Sequence, residues 1–318
     1  MGKILYLIIP CYNEEEVIDD TAGKLKDKMS RLIHSGTIDE RSRIVFVNDG
    51  SMDLTWKKIM TLHERDDIFG GINLTRNRGH QNALLAGLLT VKNDADIVIS
   101  LDADLQDDID VFEEMIKANE EGYDVVYGVR NNRKKDSFFK RFTAQAFYKL
   151  TNRLGGELVY NHADFRLMSR RAISGLEEFE EVNLFLRGII PLIGYPSTIV
   201  DYERKERLAG KSKYPFRKMV SFAVEGITSL SSKPLKIVTK LAFFSLLASI
   251  AILVYALVSY FTGHVVPGWT SILLSVWAIG SMVLFAIGIA STYIGKIYLE
   301  AKKRPRYIVE EYLIDKEK

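Results

Sequence analysis

The segment that decides the fold is Ile97–Ile109, IVISLDADLQDDI, where a short apolar run ends in two aspartates. An apolar run between polar flanks indicates a buried strand, and open α/β sheets bind ligands at the carboxyl ends of their strands. Alternate strand residues share a face, so Asp102 and Asp104 can point the same way and hold Mg²⁺ or Mn²⁺ against substrate phosphates. The alternative is an acidic strand end that only caps the next helix, a role that Asp107 or Asp108 fits better.

Apolar runs alternate with segments of helical spacing on both sides of this segment. Five strands are predicted, at Ile4–Ile9, Ile44–Val47, Ile68–Leu74, Ile97–Leu101 and Asp124–Val129. Strands that alternate with helices in this way predict an α/β fold with a parallel, doubly wound sheet.

Polar residues follow three of the other predicted strands or their turns, which argues for a binding site at one edge of the sheet. Asn13 and Glu14 follow the first strand, Asp49 ends the second, and Arg76 and Arg78 follow the third. A carboxylate at Asp49 or Glu14 can accept hydrogen bonds from a base or a ribose, and arginines before a helix N-terminus suit an anion. The plainer alternatives are a turn residue at Asp49, a first-turn residue at Glu14 and surface charge for one of the arginines.

Composition excludes several classes of function. The 318 residues carry a formal net charge of +2, which gives no field for nucleic acid, and the single cysteine cannot form an internal disulfide. No P-loop or dinucleotide-binding fingerprint occurs. The five histidines are scattered, which argues against a zinc site. We expect structural or surface roles for His80 and His162, with contact to a ligand as the alternative for each.

The pattern changes after Arg130. A charged loop leads into a basic amphipathic helix predicted at Ser137–Leu154, which either packs on the sheet or touches a membrane. Asn161–Ser169 is predicted to be a polar turn that leads into an apolar run, and Ser197–Arg204 a strand. Glu203–Tyr214 is a strongly basic loop.

The C-terminal third has the features of a membrane anchor. Pro215–Ser232 is predicted to be an amphipathic helix in the membrane interface, with packing on the N-terminal domain as the alternative. Two uncharged segments, Leu241–Phe261 and Trp269–Ile294, are long enough to cross a bilayer. The loop between them lacks Lys and Arg while both outer flanks are basic, so the positive-inside rule predicts a multi-pass protein whose N-terminal domain and tail are cytoplasmic. A buried helical hairpin is the alternative.

These observations divide the chain into four parts. Residues 1–214 form the α/β domain, 215–234 the amphipathic juxtamembrane helix, 235–296 the two transmembrane helices and 297–318 a cytoplasmic tail. A short strand is predicted in the tail at Arg306–Leu313, which could pair with the sheet of a neighbouring subunit.

Seven motifs occur together in a fixed order along the chain. They are IIPCYNEEE (8–16), FVNDGSMD (46–53), LTRNRGHQNALLAG (74–87), LDADLQDD (101–108), YGVR (127–130), NHADFRLMSR (161–170) and GKSKY (210–214). In combination with two membrane segments, they resemble the polyprenyl-phosphate glycosyltransferases of family 2, which are inverting enzymes with a GT-A fold. The undecaprenyl-phosphate glucosyltransferases of bacteria are similar in appearance, and dolichol-phosphate mannose synthases are related. One departure is Asp108-Ile109, where the family often has proline after LQD.

The resemblance implies roles for individual residues. Those expected around the nucleotide and donor are Pro10, Tyr12, Asn13, Glu14, Asp49, Arg76, Asp102 and Gln106. Asp102 and Asp104 would hold Mg²⁺ or Mn²⁺, and Asp104, Asp164 and Lys213 would form the catalytic set. Residues expected to contact the lipid phosphate or the diphosphate are Arg130, Arg204, Ser212 and Lys213, with Arg207 as an alternative to Arg204.

The implied reaction is transfer of a hexose, with glucose as the expected sugar, from a UDP-sugar to undecaprenyl phosphate, and GlcNAc, galactose or GDP-mannose donors are the alternatives. Asp164 is expected to position a substrate rather than remove a proton, because a phosphate monoester is already largely anionic near pH 7. A homo-oligomer is also implied. A processive polysaccharide synthase is disfavoured because no tryptophan lies in a Q-x-x-R-W pattern. A nucleotide-binding sensor without turnover is disfavoured by the intact catalytic set.

Overall fold

The computed structural model describes residues 2–130, 162–182, 185–202 and 268–314, together with scattered positions between 235 and 262. The amphipathic helices predicted at Ser137–Leu154 and Pro215–Ser232, and the basic loop Glu203–Tyr214, lie outside the described residues.

One mixed sheet of eight strands organises the described chain. Its strands are β1 (Leu5–Cys11), β2 (Arg43–Asn48), β3 (Phe69–Leu74), β4 (Ile97–Ser100), β5 (Val125–Arg130), β6 (His162–Ser169), β7 (Ser197–Tyr202) and β8 (Val309–Leu313). Their spatial order is β7-β5-β6-β4-β1-β2-β3-β8. Only β6 and β8 run against the other strands, so the predicted α/β fold with a mostly parallel sheet is confirmed.

Helices cover both faces of this sheet. They are α1 (Ile18–His34), α2 (Thr55–Arg65), α3 (His80–Val91), α4 (Phe112–Glu120), α5 (Arg170–Glu177) and α6 (Leu186–Leu192). A further long helix, α7 (Trp269–Ala301), comes before β8 in the chain. Helices α1, α2 and α4 bury apolar side chains on the face of Leu7, whereas α3, α5 and α6 pack on the face of Ile8. Every residue of β1 is buried, as expected for a central strand covered on both sides.

Asn161–Ser169 was predicted to be a polar turn that leads into an apolar run, but residues His162–Ser169 all belong to strand β6. This strand pairs antiparallel with both β4 and β5, with Ser100 opposite Arg166. The polar residues misled the prediction because Asp164 and Arg166 alternate on one face while Phe165 is buried on the other. The pairing brings the beginning of β6 to the carboxyl end of β4.

The predicted strand of the tail exists as β8, and its pairing with a neighbouring subunit stays a prediction. It adds antiparallel to β3 of its own chain, with Ile72 opposite Tyr312. The side-chain amide of Asn73 also donates to the carboxylate of Glu310 (3.0 Å). The tail therefore belongs to the α/β domain and does not form a separate unit.

One helix among the described residues is long and apolar enough to cross a membrane. It is the part Ser275–Ala301 of α7, and its apolar window is not buried by the protein. Helix α7 begins at Trp269 as predicted for the second span, and it continues beyond Ile294 to Ala301. The first predicted span falls where only scattered positions are described, and those from Leu235 to Phe261 are helical.

Candidate functional site

Three strand-to-helix loops are joined by hydrogen bonds at the carboxyl edge of the sheet. The backbone N–H of Asn13 donates to the hydroxyl of Ser51 (3.0 Å), and the Asn13 side chain accepts from the N–H of Met52 (2.9 Å). Asn13 has a left-handed backbone with φ of 55°, which asparagine tolerates better than most residues. The loops after β1 and β2 are thus held as one unit.

Asp49 fastens this unit to the loop after β3. Its buried carboxylate accepts the backbone N–H groups of Arg78 (2.7 Å) and Gly79 (2.9 Å). Burial raises the pKa of Asp49, although these two hydrogen bonds and the nearby charges of His80 and Arg78 act in the opposite direction. Asp49 therefore shapes the loop that leads into α3, and any contact with a base or ribose is additional to that structural role.

The acidic loop after β4 has a left-handed residue at its centre. Leu105 has φ of 45°, and the buried Gln106 side chain donates back to the carboxylate of Asp104 (2.8 Å). The hydroxyl of Tyr202, at the end of β7, donates to the buried Asp107. Asp108 accepts the N–H of Asp110 (3.2 Å) as the cap of the short 3₁₀ turn Ile109–Val111. Capping thus accounts for Asp108, whereas Asp107 tethers the loop to β7.

Asp164 lies beside this loop within a group of cationic side chains. One oxygen accepts from Arg166 Nη2 (2.6 Å), and Arg187 donates to both oxygens, from Nε (3.2 Å) and Nη2 (2.9 Å). His80 Nε2 lies 3.4 Å from Asp164 and 3.7 Å from Asp102. Burial alone would raise the pKa of Asp164, but Arg187, the hydrogen bond to His80 and Arg166 hold it well below its usual value.

The pKa of Asp102 is shifted in the opposite direction to that of Asp164. Burial first, and then the charges of Asp107, Asp164 and Asp104, raise the pKa of Asp102, while His80 acts in the other direction. Its side chain is nevertheless 42% exposed, so it is accessible from solvent. For His80 the effect of burial is outweighed by Asp164 and Asp102, and its pKa is raised.

The donor set at this edge fits a hard divalent cation. The described residues contain no group of three or more side chains arranged as metal ligands. Two carboxylates are sufficient, however, because Mg²⁺ is usually held by one or two carboxylates together with substrate phosphates. The repulsion between Asp102 and its acidic neighbours is the kind of strain that a bound cation relieves.

The remaining predicted residues are distributed around this edge. Pro10 is buried within β1, Tyr12 is 42% exposed, Glu14 is partly buried with its N–H donating to Thr55 (2.9 Å), and Arg76 is exposed. Arg130 ends β5, and its side chain lies outside the description, as do Arg204, Ser212 and Lys213. The structure brings Asn13, Asp49, Asp102, Asp104, Gln106 and Asp164 to one edge of the sheet.

Sequence reasoning missed three members of this site. His80 was expected to have a structural or surface role, yet it bridges Asp102 and Asp164. Arg166 was overlooked although its alternation with Asp164 in a strand would have placed both on one face. Arg187 lies 23 residues after Asp164 in the chain, and no local pattern of the sequence connects the two.

Comparison with known proteins identifies the family. A model described as glycosyl transferase family 2 matches residues 6–176. The chain is 48% identical to an uncharacterized glycosyltransferase, YkoT, from Bacillus subtilis, over 96% of this chain and 91% of that protein. It is 38% identical to the SfII prophage-derived bactoprenol glucosyl transferase of Shigella flexneri, over 96% of this chain and 97% of that protein.

A solved structure shows a more distant likeness. Glucosyl-3-phosphoglycerate synthase from Mycobacterium tuberculosis is 18% identical, with a TM-score of 0.46 over 72% of this chain and 79% of that one. The family match covers more than half of this chain. The mostly parallel sheet of this chain agrees with the GT-A fold implied by the motifs. The chain is therefore a glycosyltransferase of family 2, and its resemblance to the polyprenyl-phosphate group of that family is confirmed.

Proposed function

We propose that this enzyme transfers glucose from UDP-glucose to a polyprenyl phosphate such as undecaprenyl phosphate. The observation that carries the proposal is the group of side chains at the carboxyl edge, where His80 lies between Asp102 and Asp164 and Arg187 pairs with Asp164. A relative named as a bactoprenol glucosyl transferase matches 96% of the chain, including the membrane segment, which supports glucose as the sugar and a polyprenyl phosphate as the acceptor.

The reaction needs one displacement. The bond between the sugar C1 and the diphosphate oxygen breaks, a bond from C1 to an acceptor phosphate oxygen forms, and UDP leaves. Attack on the face opposite the leaving group inverts the anomeric centre, so an α-linked donor gives a β-linked lipid. The acceptor phosphate is largely anionic near pH 7, so the protein's main task is to hold the two phosphate groups in line.

Asp102 and Asp104 are the residues that would hold Mg²⁺ or Mn²⁺, which as a Lewis acid offsets negative charge on the leaving diphosphate. The hydrogen bond from Gln106 fixes the Asp104 carboxylate. Asp49 and Asn13 hold the loops that would surround the nucleotide. Donor contacts of Pro10, Tyr12, Glu14 and Arg76, and phosphate contacts of Arg130, Arg204, Ser212 and Lys213, remain predictions from the motifs.

Two contacts support a membrane topology in which the C-terminal end of α7 lies on the same side as the α/β domain. The backbone N–H of Val182 donates to Glu300 near the end of α7 (2.9 Å), and Arg306 donates to the carbonyl of Phe179 (2.7 Å). The C-terminal end of α7 is thus held against the α/β domain. Its 33 residues extend about 50 Å at 1.5 Å per residue, which exceeds the roughly 30 Å hydrocarbon core of a bilayer.

The position of β8 supports two crossings rather than one. Because β8 pairs with β3, the chain must return to the side of the membrane from which it left the sheet after β7. This supports an even number of crossings, of which α7 would supply one. The uncharged segment Leu241–Phe261 is our candidate for the other. A reporter at Gly263 should lie outside the cytoplasm, and a cytoplasmic signal there would contradict this topology.

The proposed function is tested with membranes from cells that express the chain. These membranes receive labelled UDP-glucose, UDP-GlcNAc, UDP-galactose or GDP-mannose together with polyprenyl phosphate, with and without EDTA. Labelled lipid should form with UDP-glucose and disappear with EDTA. A different preferred donor would correct the sugar, whereas no labelled lipid from any donor would contradict the enzyme. Cross-linking of the same membranes tests the homo-oligomer expected from the resemblance.

A further inference from the structure

The carboxylate of Asp164 is buried, and both of its oxygens are engaged. Its side chain is 10% exposed, and its oxygens accept from Arg166 at 2.6 Å and from Arg187 at 3.2 and 2.9 Å, with His80 3.4 Å away. Bidentate pairing with a guanidinium fixes a carboxylate in both position and plane. Asp164 is therefore held in one orientation and remains ionised at neutral pH.

The two arginines of this cluster differ in their exposure. Arg166 is buried completely on β6, with a side chain 1% exposed, whereas Arg187 reaches in from α6 and is 33% exposed. A buried guanidinium requires a nearby carboxylate because an unpaired buried charge is costly. Asp164 pairs with both arginines, and the exposed side of the cluster presents Arg187 and His80, with Asp102 3.7 Å from His80.

This distribution of charge and exposure separates the groups that can touch a substrate from those that cannot. A carboxylate with a depressed pKa and four neighbouring donor atoms is poorly suited to remove a proton or to approach a ligand. A partly exposed guanidinium is suited to bind phosphate oxygens, because its planar fork of N–H donors matches their geometry. The beginning of α6 is held in place by Gln81, whose side chain accepts the N–H of Leu186 (2.9 Å).

We propose that Arg187 contacts a phosphate group of a substrate, and that Asp164 is a positioning residue that holds Arg187 in place. This assignment rests on the proposed function, which offers two sources of phosphate. One is the diphosphate of the nucleotide donor, and the other is the phosphate monoester of the lipid acceptor. Both present the same oxygen chemistry to the guanidinium.

The test measures binding, so that it does not depend on turnover. The purified full-length protein is titrated by calorimetry with UDP in the presence of Mg²⁺ and, separately, with a short-chain prenyl phosphate. Arg187→Gln should weaken one of these two affinities by about 10- to 100-fold, the range for a lost hydrogen bond to a charged group. Arg187→Lys should weaken it less, because lysine keeps the charge and loses the fork. Asp164→Asn should weaken the same affinity.

Arg171→Gln is the matched control. Arg171 also forms a bidentate pair with a buried carboxylate, that of Asp124, but at the opposite edge of the sheet. This variant should leave both affinities within about twofold of the wild type. A thermal unfolding curve for each variant verifies folding. If Arg187→Gln does not fold, the affinities of Arg187→Lys are compared with those of the wild type instead.

The two titrations together show which phosphate Arg187 contacts. Weaker binding of UDP alone assigns the contact to the donor diphosphate, and weaker binding of prenyl phosphate alone assigns it to the acceptor. Unchanged affinities in both titrations, or an equal loss in Arg171→Gln, would overturn the proposal. Wild-type protein that binds both ligands but forms no glucosyl lipid would contradict the proposed function instead.

Discussion

Two arginine–aspartate pairs lie at opposite ends of β6, and they have nearly the same local geometry. Arg187 pairs with Asp164 at the carboxyl edge of the parallel strands, and Arg171 pairs with Asp124 at the amino edge. Both arginines use Nε and Nη2, and both aspartate side chains are 10% exposed. The pair geometry alone does not distinguish a functional site from a structural one.

The surroundings of the two pairs do distinguish them. Asp164 has a second guanidinium, Arg166, and the imidazole of His80 beside it, whereas the further hydrogen bond of Asp124 comes from the neutral hydroxyl of Ser169 (2.7 Å). One guanidinium pairs with Asp124 at the amino edge, whereas two guanidinium groups contact Asp164 at the carboxyl edge, beside the acidic loop of Asp102, Asp104 and Asp107. Separated charge of this kind, at the strand ends where ligands bind, marks the site.

The largest expected difference between the two edges is catalytic. Asp104→Ala at the carboxyl edge should reduce glucosyl transfer to background, because it removes a carboxylate that would hold the cation. Asp96→Asn at the amino edge, where Asp96 pairs with Arg170, should leave the rate nearly unchanged. Initial rates in membranes with equal protein content provide the comparison, and full activity of Asp104→Ala would remove the metal assignment.

Stability should differ between the two aspartates as well. Asp164→Asn leaves the buried Arg166 without a carboxylate, which should lower the free energy of unfolding by about 3–5 kcal/mol. Asp124→Asn should have a much smaller effect, because Arg171 is 61% exposed and water replaces the lost partner. Thermal unfolding of the detergent-solubilised variants measures both effects. Equal losses would show that the burial of Arg166 is unimportant.

A pair of left-handed glycines extends the comparison to the backbone. Gly50 has φ of 63°, and an added Cβ would lie 2.5 Å from the backbone of Arg76 and Asn77, whereas Gly36 has φ of 72° and open space around it. Gly50→Ala should cost roughly 2–4 kcal/mol from backbone strain and overpacking, and Gly36→Ala about 1–2 kcal/mol from strain alone. Thermal unfolding under the same conditions ranks them, and a larger loss for Gly36→Ala would contradict the close packing of the two loops.

The smallest expected effect is a change in stability at low pH. Burial acts to raise the pKa of Asp124, but its bonds with Arg171 and Ser169 lower it overall. The stabilisation from this ionised group is present above the usual aspartate pKa of about 3.9, and it is lost as the pH falls through the depressed value. The wild type should therefore lose stability more steeply than Asp124→Asn below about pH 4. Unfolding temperatures measured from pH 3 to 7 test this, and parallel curves would contradict it.

The sequence predicted the parts of the site that are local. The apolar run before Asp102 predicts strand β4, and Asp102 and Asp104 follow directly after that strand. The family motifs also indicate Asp49, Asn13 and Gln106. What they do not reveal is that Asp49 also holds the following loop through the backbone of Arg78 and Gly79.

The parts that depend on distant pairing were not predictable in the same way. Strand β8 was predicted as a strand, but its partner β3 lies more than 200 residues earlier, and Asn73 and Glu310 are separated by 237 positions. Arg187 similarly enters the site only because α6 packs beside the beginning of α3. Such contacts arise from packing across the whole sheet, which no local periodicity encodes.

The central claim is inverting glucosyl transfer at the carboxyl edge, and the product itself tests it most directly. The purified full-length protein in a bilayer is given UDP-glucose, Mg²⁺ and polyprenyl phosphate, and the lipid product is analysed by mass and by the anomeric configuration of its sugar. The account predicts a β-glucosyl polyprenyl monophosphate formed together with UDP. A sugar linked through two phosphates with release of UMP, or an α-linked product, would contradict it.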